Sequence, residues 1–212
     1  MHDSPDSPTA TVHVAVYDTL ADWEVGHAIA HINNGAWQRR PGTLRVATLA
    51  ATAEPVTTAG GVRILPEATL ADVDASDSAM LILPGADTWL SGGNGEFVDA
   101  ARSWLDAGVP VAAICGATGG LAAAGMLDDR RHTSNALVFL ESLGYGGSSL
   151  YVDEPAVTDG DLITASGIAP VAFAREIFAR LDLYEPAILD AWYKLYGLGD
   201  PAGYDDLMAH AS

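Results

Sequence analysis

The chain has 212 residues, of which 10 are Lys or Arg and 28 are Asp or Glu, so its formal net charge is −18. This balance argues against a protein that binds the phosphate backbone of nucleic acids or an anionic membrane surface, because both need clustered basic side chains. Hydrophobic residues make up 49% of the chain, which is enough for the core of one domain and excludes a disordered protein. No apolar run approaches the roughly 20 residues of a membrane-spanning helix.

The sequence contains one cysteine, Cys115. An internal disulfide and a zinc site built from several cysteines are therefore excluded. Residues 1–10 are rich in Ser, Pro and Asp and lack the basic and apolar segments of a signal peptide, so we interpret them as a short disordered lead-in. From these features we expect a cytoplasmic protein, and nothing in the sequence predicts a cofactor.

Strands and helices are predicted to alternate along the chain. Strands are expected at 12–17, 44–49, 80–83, 109–114, 132–135 and 162–165, with a hairpin over 56–65 and a loop with a short edge strand over 143–160. Helices are expected at 21–33, 95–107, 116–125, 171–181 and 186–198, the first with Asp22 as its N-cap.

Three of these strands, at 12–17, 80–83 and 109–114, are almost continuously apolar. Such runs are typical of parallel strands that are covered by helices on both faces. Because the strands alternate with helices, we predict one doubly wound α/β sandwich. No internal repeat and no linker divides the chain.

The stretch 109–127 carries the clearest chemical signal. An apolar strand leads directly into Cys115 and Gly116, and a helix of small residues follows. This is the layout of a nucleophile elbow, in which the nucleophile lies at the carboxyl end of a central strand and faces a helix N-terminus. The helix dipole favours thiolate over thiol, so we expect a lowered pKa for Cys115. The alternative is a buried, unreactive cysteine that packs as a small hydrophobe.

Five segments in this order resemble the ThiJ/PfpI superfamily, which has the class I glutamine amidotransferase-like fold. They are HVAVYDTLADWE, TTAGGVRILPEATL, LILPGAD, AAICGATGGLAAAGMLDDRRHTSN and DLITASGIAPVAFAREIFARL. The resemblance covers residues 11–182 and implies a flavodoxin-like sandwich with a mostly parallel central sheet. The CGAT motif is similar to that of a bacterial subgroup whose members are often named as proteases or amidotransferases. Residues 183–212 lie beyond the resemblance, and we expect them to form a helical extension packed on the same domain.

The resemblance also implies catalytic partners for Cys115. The family places an acid from the first helix beside the sulfur, and that position falls on Glu24. Asp22 is the alternative acid, since spacing alone does not separate the two. A carboxyl group next to a thiolate is expected to hold a proton, because two adjacent anions are costly. The backbone amides of Ala86 and Gly116 are implied to form an oxyanion hole.

Two positions depart from the family pattern. PfpI-type members have a histidine after the cysteine, where this chain has Gly116. Other members have a histidine at the end of the next strand, where this chain has Asn135. His132 is three residues from Asn135, so on a strand the two side chains should point to opposite faces. A Cys–His dyad of the protease kind is therefore not supported, and Asn135 is assigned to the pocket.

Three further residues are assigned to the pocket. Trp23 and Trp89 flank it in sequence and are expected to form an aromatic wall, with core or dimer packing as the alternative. Glu24, His27 and His31 share one helix face at a spacing that metal sites use, but a third or fourth ligand is not evident and no metal is predicted. His27 is instead expected beside Cys115.

These features favour a cysteine-dependent enzyme that acts on a small molecule with a carbonyl-like carbon. Hydrolase, hydratase and glyoxalase-like reactions all fit, since each begins with addition of a thiolate to carbon. The alternatives are a thiol redox sensor or stress-response holdase without catalysis, a ligand-binding module with an inert cysteine, and an amidotransferase-like or protease-like protein. Family resemblance and the number of Trp and Tyr residues predict a homodimer.

Overall fold

The computed structural model describes residues 10–210. A seven-stranded sheet in the order β5-β2-β1-β6-β7-β9-β8 forms its centre, and every neighbouring pair is parallel except β8 and β9. A separate antiparallel pair, β3 and β4, is the predicted hairpin. The strands are β1 (Ala10–Ala15), β2 (Leu44–Ala50), β3 (Val56–Thr57), β4 (Arg63–Ile64), β5 (Ala68–Thr69), β6 (Ser78–Leu83), β7 (Val111–Ile114), β8 (Ala156–Asp159) and β9 (Leu162–Ala165).

Helices cover both faces of the sheet, as the predicted doubly wound fold requires. Alternate residues of β6 point to opposite faces: Met80 and Ile82 pack with α1, α6, α7 and α8, and Leu81 and Leu83 pack with α3, α4 and α5. No helix within residues 10–210 is long and apolar enough to cross a membrane. The helices are α1 (Gly26–Asn33), α2 (Asp87–Leu90), α3 (Gly95–Asp106), α4 (Gly116–Ala123), α5 (Leu137–Glu141), α6 (Pro170–Arg180), α7 (Pro186–Tyr196) and α8 (Ala202–Ala209).

The strand order changes direction between β1 and β6, which places a crevice at the carboxyl ends of these strands. The chain leaves β1 toward β2 and β5 and then returns to β6 and β7 on the other side. Segments that follow β1, β6 and β7 therefore meet at one edge of the sheet. This is where the candidate site lies.

Two sequence-based expectations about local structure are wrong. The segment 132–135 is not a strand; it contributes one isolated bridge, between His132 and Tyr151, and the N–H of Thr133 donates to the side chain of Thr164. The first helix begins at Gly26, and Asp22 does not cap it, because the Asp22 carboxylate accepts from the N–H of Gly60 in the hairpin turn at 2.7 Å. The predicted lead-in falls outside the described residues, apart from residue 10, which begins β1.

The C-terminal helices α7 and α8 share the core beneath the sheet. Trp192 of α7 is fully buried, and its indole N–H donates to Nε2 of His31 on α1 at 3.1 Å. Since an indole nitrogen only donates, His31 Nε2 is the acceptor and Nδ1 carries the proton, which it donates to the Tyr184 hydroxyl at 2.9 Å. Burial, together with nearby His27, lowers the pKa of His31 to about 4, so the ring is neutral near pH 7.

This contact predicts a pH-dependent contribution of His31 to stability. The unfolded chain binds a proton on His31 below the ordinary pKa of about 6.5, whereas the folded chain does so only near 4. The stabilisation is therefore complete above pH 6.5 and is lost as the pH falls toward 4.

We expect His31→Gln to lower the free energy of unfolding most at neutral pH, with a difference from wild type that shrinks between pH 6.5 and 4. Urea titrations at several pH values measure it, with His210→Gln on the surface of the last helix turn as the control. A difference that stays constant over this range would contradict the assignment.

Candidate functional site

Cys115 lies between the end of β7 and the start of α4, at the tight turn that the sequence predicts. Its backbone angles are φ 59° and ψ −124°, a conformation that is rare for a residue with a side chain. Such strain costs on the order of 1–3 kcal/mol and persists only where the surroundings enforce it. Here the fully buried β7 and the tightly packed α4 hold both ends of the turn, so the thiol is directed into the crevice.

Glu24 approaches the thiol from the segment between β1 and α1. Its side chain is only 1% exposed, and Oε2 accepts a hydrogen bond from the N–H of Gly85 at 2.5 Å. The second oxygen, Oε1, is buried and has no hydrogen-bond partner among residues 10–210, and the carboxyl group as a whole interacts with the Cys115 thiol. The competing acid, Asp22, is exposed and bound to the hairpin turn, so Glu24 is the acid beside the sulfur.

Two glycines make this close approach possible. A Cβ atom on Gly85 would lie 2.8 Å from the Cβ of Cys115 and 2.9 Å from Oε2 of Glu24. A Cβ atom on Gly167 would lie 2.7 Å from the Cys115 sulfur. Gly85 belongs to the LILPGAD segment. The role of Gly167, in the loop after β9, leaves no local signal in the sequence, because it depends on a contact between segments that are distant in the chain.

Asn135 contacts both the Cys115 sulfur and the loop after β9. Its Nδ2 donates to the Cys115 sulfur at 3.3 Å, and its Oδ1 accepts from the N–H of Gly167 at 2.8 Å. The carbonyl of Gly167 in turn accepts from the indole N–H of Trp23 at 3.1 Å. One amide side chain therefore holds both the sulfur and the backbone that closes over it.

The backbone N–H groups of Ala86 and Gly116 belong to the two turns that line the pocket. The interaction of the Gly116 N–H with the Cys115 sulfur opposes the rise in the pKa of the thiol. The N–H of Ala86 engages no acceptor among residues 10–210, and a Cβ atom on Gly116 would lie 3.6 Å from this nitrogen and 3.2 Å from the Ala86 carbonyl oxygen. Position 116 therefore leaves little room for a side chain.

Trp89 packs behind the turn that follows β6. Contrary to the prediction, it does not form a wall of the pocket. It is buried, and its indole N–H donates to the Tyr17 hydroxyl and to the Pro84 carbonyl, each at 3.0 Å. The Tyr17 hydroxyl also donates to the Pro84 carbonyl. Trp89 lies so close to α4 that a Cβ atom on Gly120 would overlap its ring. Trp23 lines the pocket, whereas Trp89 does not.

His27 and His132 lie outside the pocket. His27 does not line the pocket as expected; its ring packs against His31, Trp192 and Tyr196, since the turn after Glu24 directs it toward α7. His132 is fully buried and bonds to the Arg130 carbonyl and the Tyr145 hydroxyl, away from the sulfur. Within residues 10–210, no group of three His, Cys, Asp or Glu side chains is arranged to hold a metal ion.

The thiol and the carboxyl open into a pocket of about 160 Å³. Of the predicted residues, Trp23, Glu24, Ala86, Cys115, Gly116 and Asn135 line it together. Sequence reasoning missed the remaining lining residues, of which Leu90 and Phe139 carry the larger side chains. The complete lining is Thr19, Ala21, Trp23, Glu24, Gly85, Ala86, Asp87, Leu90, Cys115, Gly116, Asn135 and Phe139.

The pKa values of the two acids shift in the same direction. Burial raises the pKa of Glu24, and burial also raises the pKa of the Cys115 thiol, against the opposing hydrogen bond from Asn135. The negative charge of Glu24 raises the thiol pKa further. The expected lowering of the Cys115 pKa is therefore wrong, because desolvation outweighs the helix N-terminus. Since two adjacent anions are unfavourable, the pair titrates as a unit and retains a proton in its resting state.

The chain belongs to the DJ-1/PfpI family, whose model matches residues 10–180. It is 38% identical to "Uncharacterized protease YoaZ" of Bacillus subtilis, over 94% of this chain and 97% of that protein. A ThiJ/PfpI family protein from Bacillus anthracis has a crystal structure with a TM-score of 0.88 and 37% identity, covering 98% of both chains. A DJ-1 superfamily protein from Agrobacterium tumefaciens gives 0.78 and 30%, covering 90% of this chain and 99% of that one.

The coupling between the two acids predicts the effect of Glu24→Gln. Removing the carboxylate removes a negative charge that disfavours the thiolate, so we expect the thiol pKa to fall. The rate of iodoacetamide alkylation as a function of pH measures this pKa. Asp22→Asn, which removes a charge in the same segment but away from the sulfur, is the matched control and should leave the inflection in place. A higher inflection in Glu24→Gln would instead mean that a protonated Glu24 donates to the thiolate.

Proposed function

We propose that this protein is an enzyme that uses Cys115 to attack a small carbonyl-like carbon, with Glu24 as proton partner. The observation that carries the proposal is the contact between a buried carboxyl with one unpartnered oxygen and a thiol at a strained turn. Strained, desolvated pairs of titratable groups in a crevice are characteristic of catalytic sites.

The first step follows from the positions of these groups. The Cys115 thiol transfers its proton to Glu24 as the sulfur forms a bond to the carbonyl carbon, and the electron pair of the C=O double bond moves to oxygen. The N–H of Ala86, which is not otherwise engaged, is available to stabilise this oxygen together with Gly116. Glu24 then returns the proton to the oxygen, giving a neutral adduct. Hydrolysis, hydration and glyoxalase-like rearrangement diverge from this adduct.

Peptide cleavage is less favoured, although relatives carry protease names. The leaving amine of a peptide needs a proton from a general acid, which contributes about 10²–10⁴ in rate. No histidine within residues 10–210 lines the pocket, and Asn135 has no proton of suitable acidity to give. A volume of about 160 Å³ also suits a small molecule better than a peptide side chain with its flanking backbone.

We expect purified protein to convert methylglyoxal and to leave casein and fluorogenic peptides intact. Cys115→Ser cannot form the sulfur adduct. We therefore expect its activity toward methylglyoxal to be at least about 10²-fold lower than that of the wild type. Product formation and loss of carbonyl absorbance measure the first reaction. Peptide cleavage that depends on Cys115 would instead support the protease alternative. A thiol that peroxide oxidises, without either activity, would support the redox sensor or holdase.

We further propose that the protein is a cytoplasmic homodimer. Exposed apolar side chains support association, since Ile168 is 94% and Val138 is 71% exposed. A closed twofold dimer is the commonest arrangement of such assemblies. Light scattering at micromolar concentration should give about twice the 22.0 kDa of one chain. A species of one chain's mass alone would contradict the proposal.

A further inference from the structure

The mouth of the pocket is formed by large apolar side chains that are exposed to solvent. Trp23 is 59% exposed and Leu90 is 66% exposed, yet both line the pocket, and the ring of Phe139 completes the wall. Apolar side chains that converge on a concave site in this way usually contact an apolar group of a ligand. Trp23 is also held in place by its hydrogen bond to Gly167, so its ring is a rigid surface.

The charges that the described part of the chain places at the pocket are acidic. Glu24 lies at its base and Asp87 at its rim, and none of the lining residues within 10–210 is Lys, Arg or His. The whole chain carries a formal net charge of −18. A carboxylate or phosphate on the substrate would therefore meet like charges and no cationic partner.

The volume limits the size of the apolar group. The pocket measures about 160 Å³. An apolar cavity of about 150 Å³ accommodates one benzene molecule. A single ring, or an alkyl group of similar size, therefore fits between Trp23, Leu90 and Phe139.

We propose that the substrate is an uncharged carbonyl compound that carries one apolar group no larger than about a phenyl ring. Trp23 and Leu90 contact this group, and Asp87 discriminates against carboxylates. This inference rests on the proposed carbonyl chemistry of Cys115 and adds to it the class of compound that the site selects.

The test compares reagents that alkylate the same thiol. Iodoacetamide is small and neutral, iodoacetate is its anionic counterpart, and phenacyl bromide is a neutral ketone with a phenyl group. In each reaction a carbon–sulfur bond forms and a halide ion leaves. Second-order rate constants for Cys115 are measured by intact-mass spectrometry and expressed as ratios to iodoacetamide, so that the fraction of thiolate cancels. The same ratios for 2-mercaptoethanol are the reference.

We expect the iodoacetate ratio to be at least about tenfold lower for Cys115 than for 2-mercaptoethanol, because of the like charges. We expect the phenacyl bromide ratio to be at least about tenfold higher, because burying a phenyl ring on the apolar wall is favourable. Ratios equal to those of 2-mercaptoethanol would overturn the proposal.

Matched variants assign each effect to its residue. Leu90→Ser should reduce the preference for phenacyl bromide, whereas Leu198→Ser, which changes a leucine that is 68% exposed outside the pocket, should not. Asp87→Asn should raise the iodoacetate ratio, whereas Asp205→Asn on α8 removes the same charge elsewhere and should leave it unchanged. Equal effects of the paired variants would contradict the assigned roles.

Turnover separates this inference from the proposed function. Methylglyoxal, phenylglyoxal and glyoxylate are compared as substrates, and phenylglyoxal should have the highest kcat/KM and glyoxylate the lowest. If none is converted while the alkylation ratios behave as expected, the carbonyl chemistry is wrong and the selectivity of the pocket stands. If all three are converted equally well, the selectivity is wrong and the carbonyl chemistry stands.

Discussion

The Glu24 carboxyl and the Cys115 thiol share one desolvated space, and the rest of the site is arranged around that contact. A buried carboxylate next to a thiolate would place two negative charges where water cannot solvate them. The fold accommodates the pair through a single retained proton, the Gly85 N–H on one carboxylate oxygen and the Asn135 amide on the sulfur. In the proposed reaction, this proton is the one that the oxygen of the substrate receives.

Backbone geometry makes the contact possible. Glycine is required at positions 85 and 167 because any side chain there would overlap the sulfur or the carboxyl. The strained turn at Cys115 directs the thiol toward Glu24. Hydrogen bonds among Tyr17, Trp89 and Pro84 fix the turn that follows β6. Each of these elements lies at the carboxyl end of a parallel strand, where the change of direction in strand order opens a crevice.

Asn135 distinguishes this site from a cysteine–histidine pair. A histidine can take and give a proton near neutral pH, whereas an asparagine amide can only orient and donate a hydrogen bond. In the proposed reaction, proton transfer is therefore left to Glu24, which is suited to addition reactions in which the same proton moves from sulfur to oxygen. In the selectivity that we propose, the apolar wall and the acidic rim restrict the compounds that reach the sulfur, so reactivity and selectivity come from different parts of the pocket.

The sequence by itself determined the architecture and the position of the cysteine at a strand-to-helix turn. Apolar runs that alternate with helical segments define a covered parallel sheet, and a cysteine between such a strand and a run of small residues has few other arrangements available. The choice of Glu24 over Asp22 rested on family resemblance, because two acids two residues apart differ only in what surrounds them once folded. Tertiary structure decided that Asp22 binds the hairpin, that His27 and Trp89 face away from the pocket, and that Gly167, Leu90 and Phe139 belong to the site. It also reversed the expected pKa shift of Cys115, because desolvation depends on every segment packed around the sulfur and no local pattern in the sequence records it.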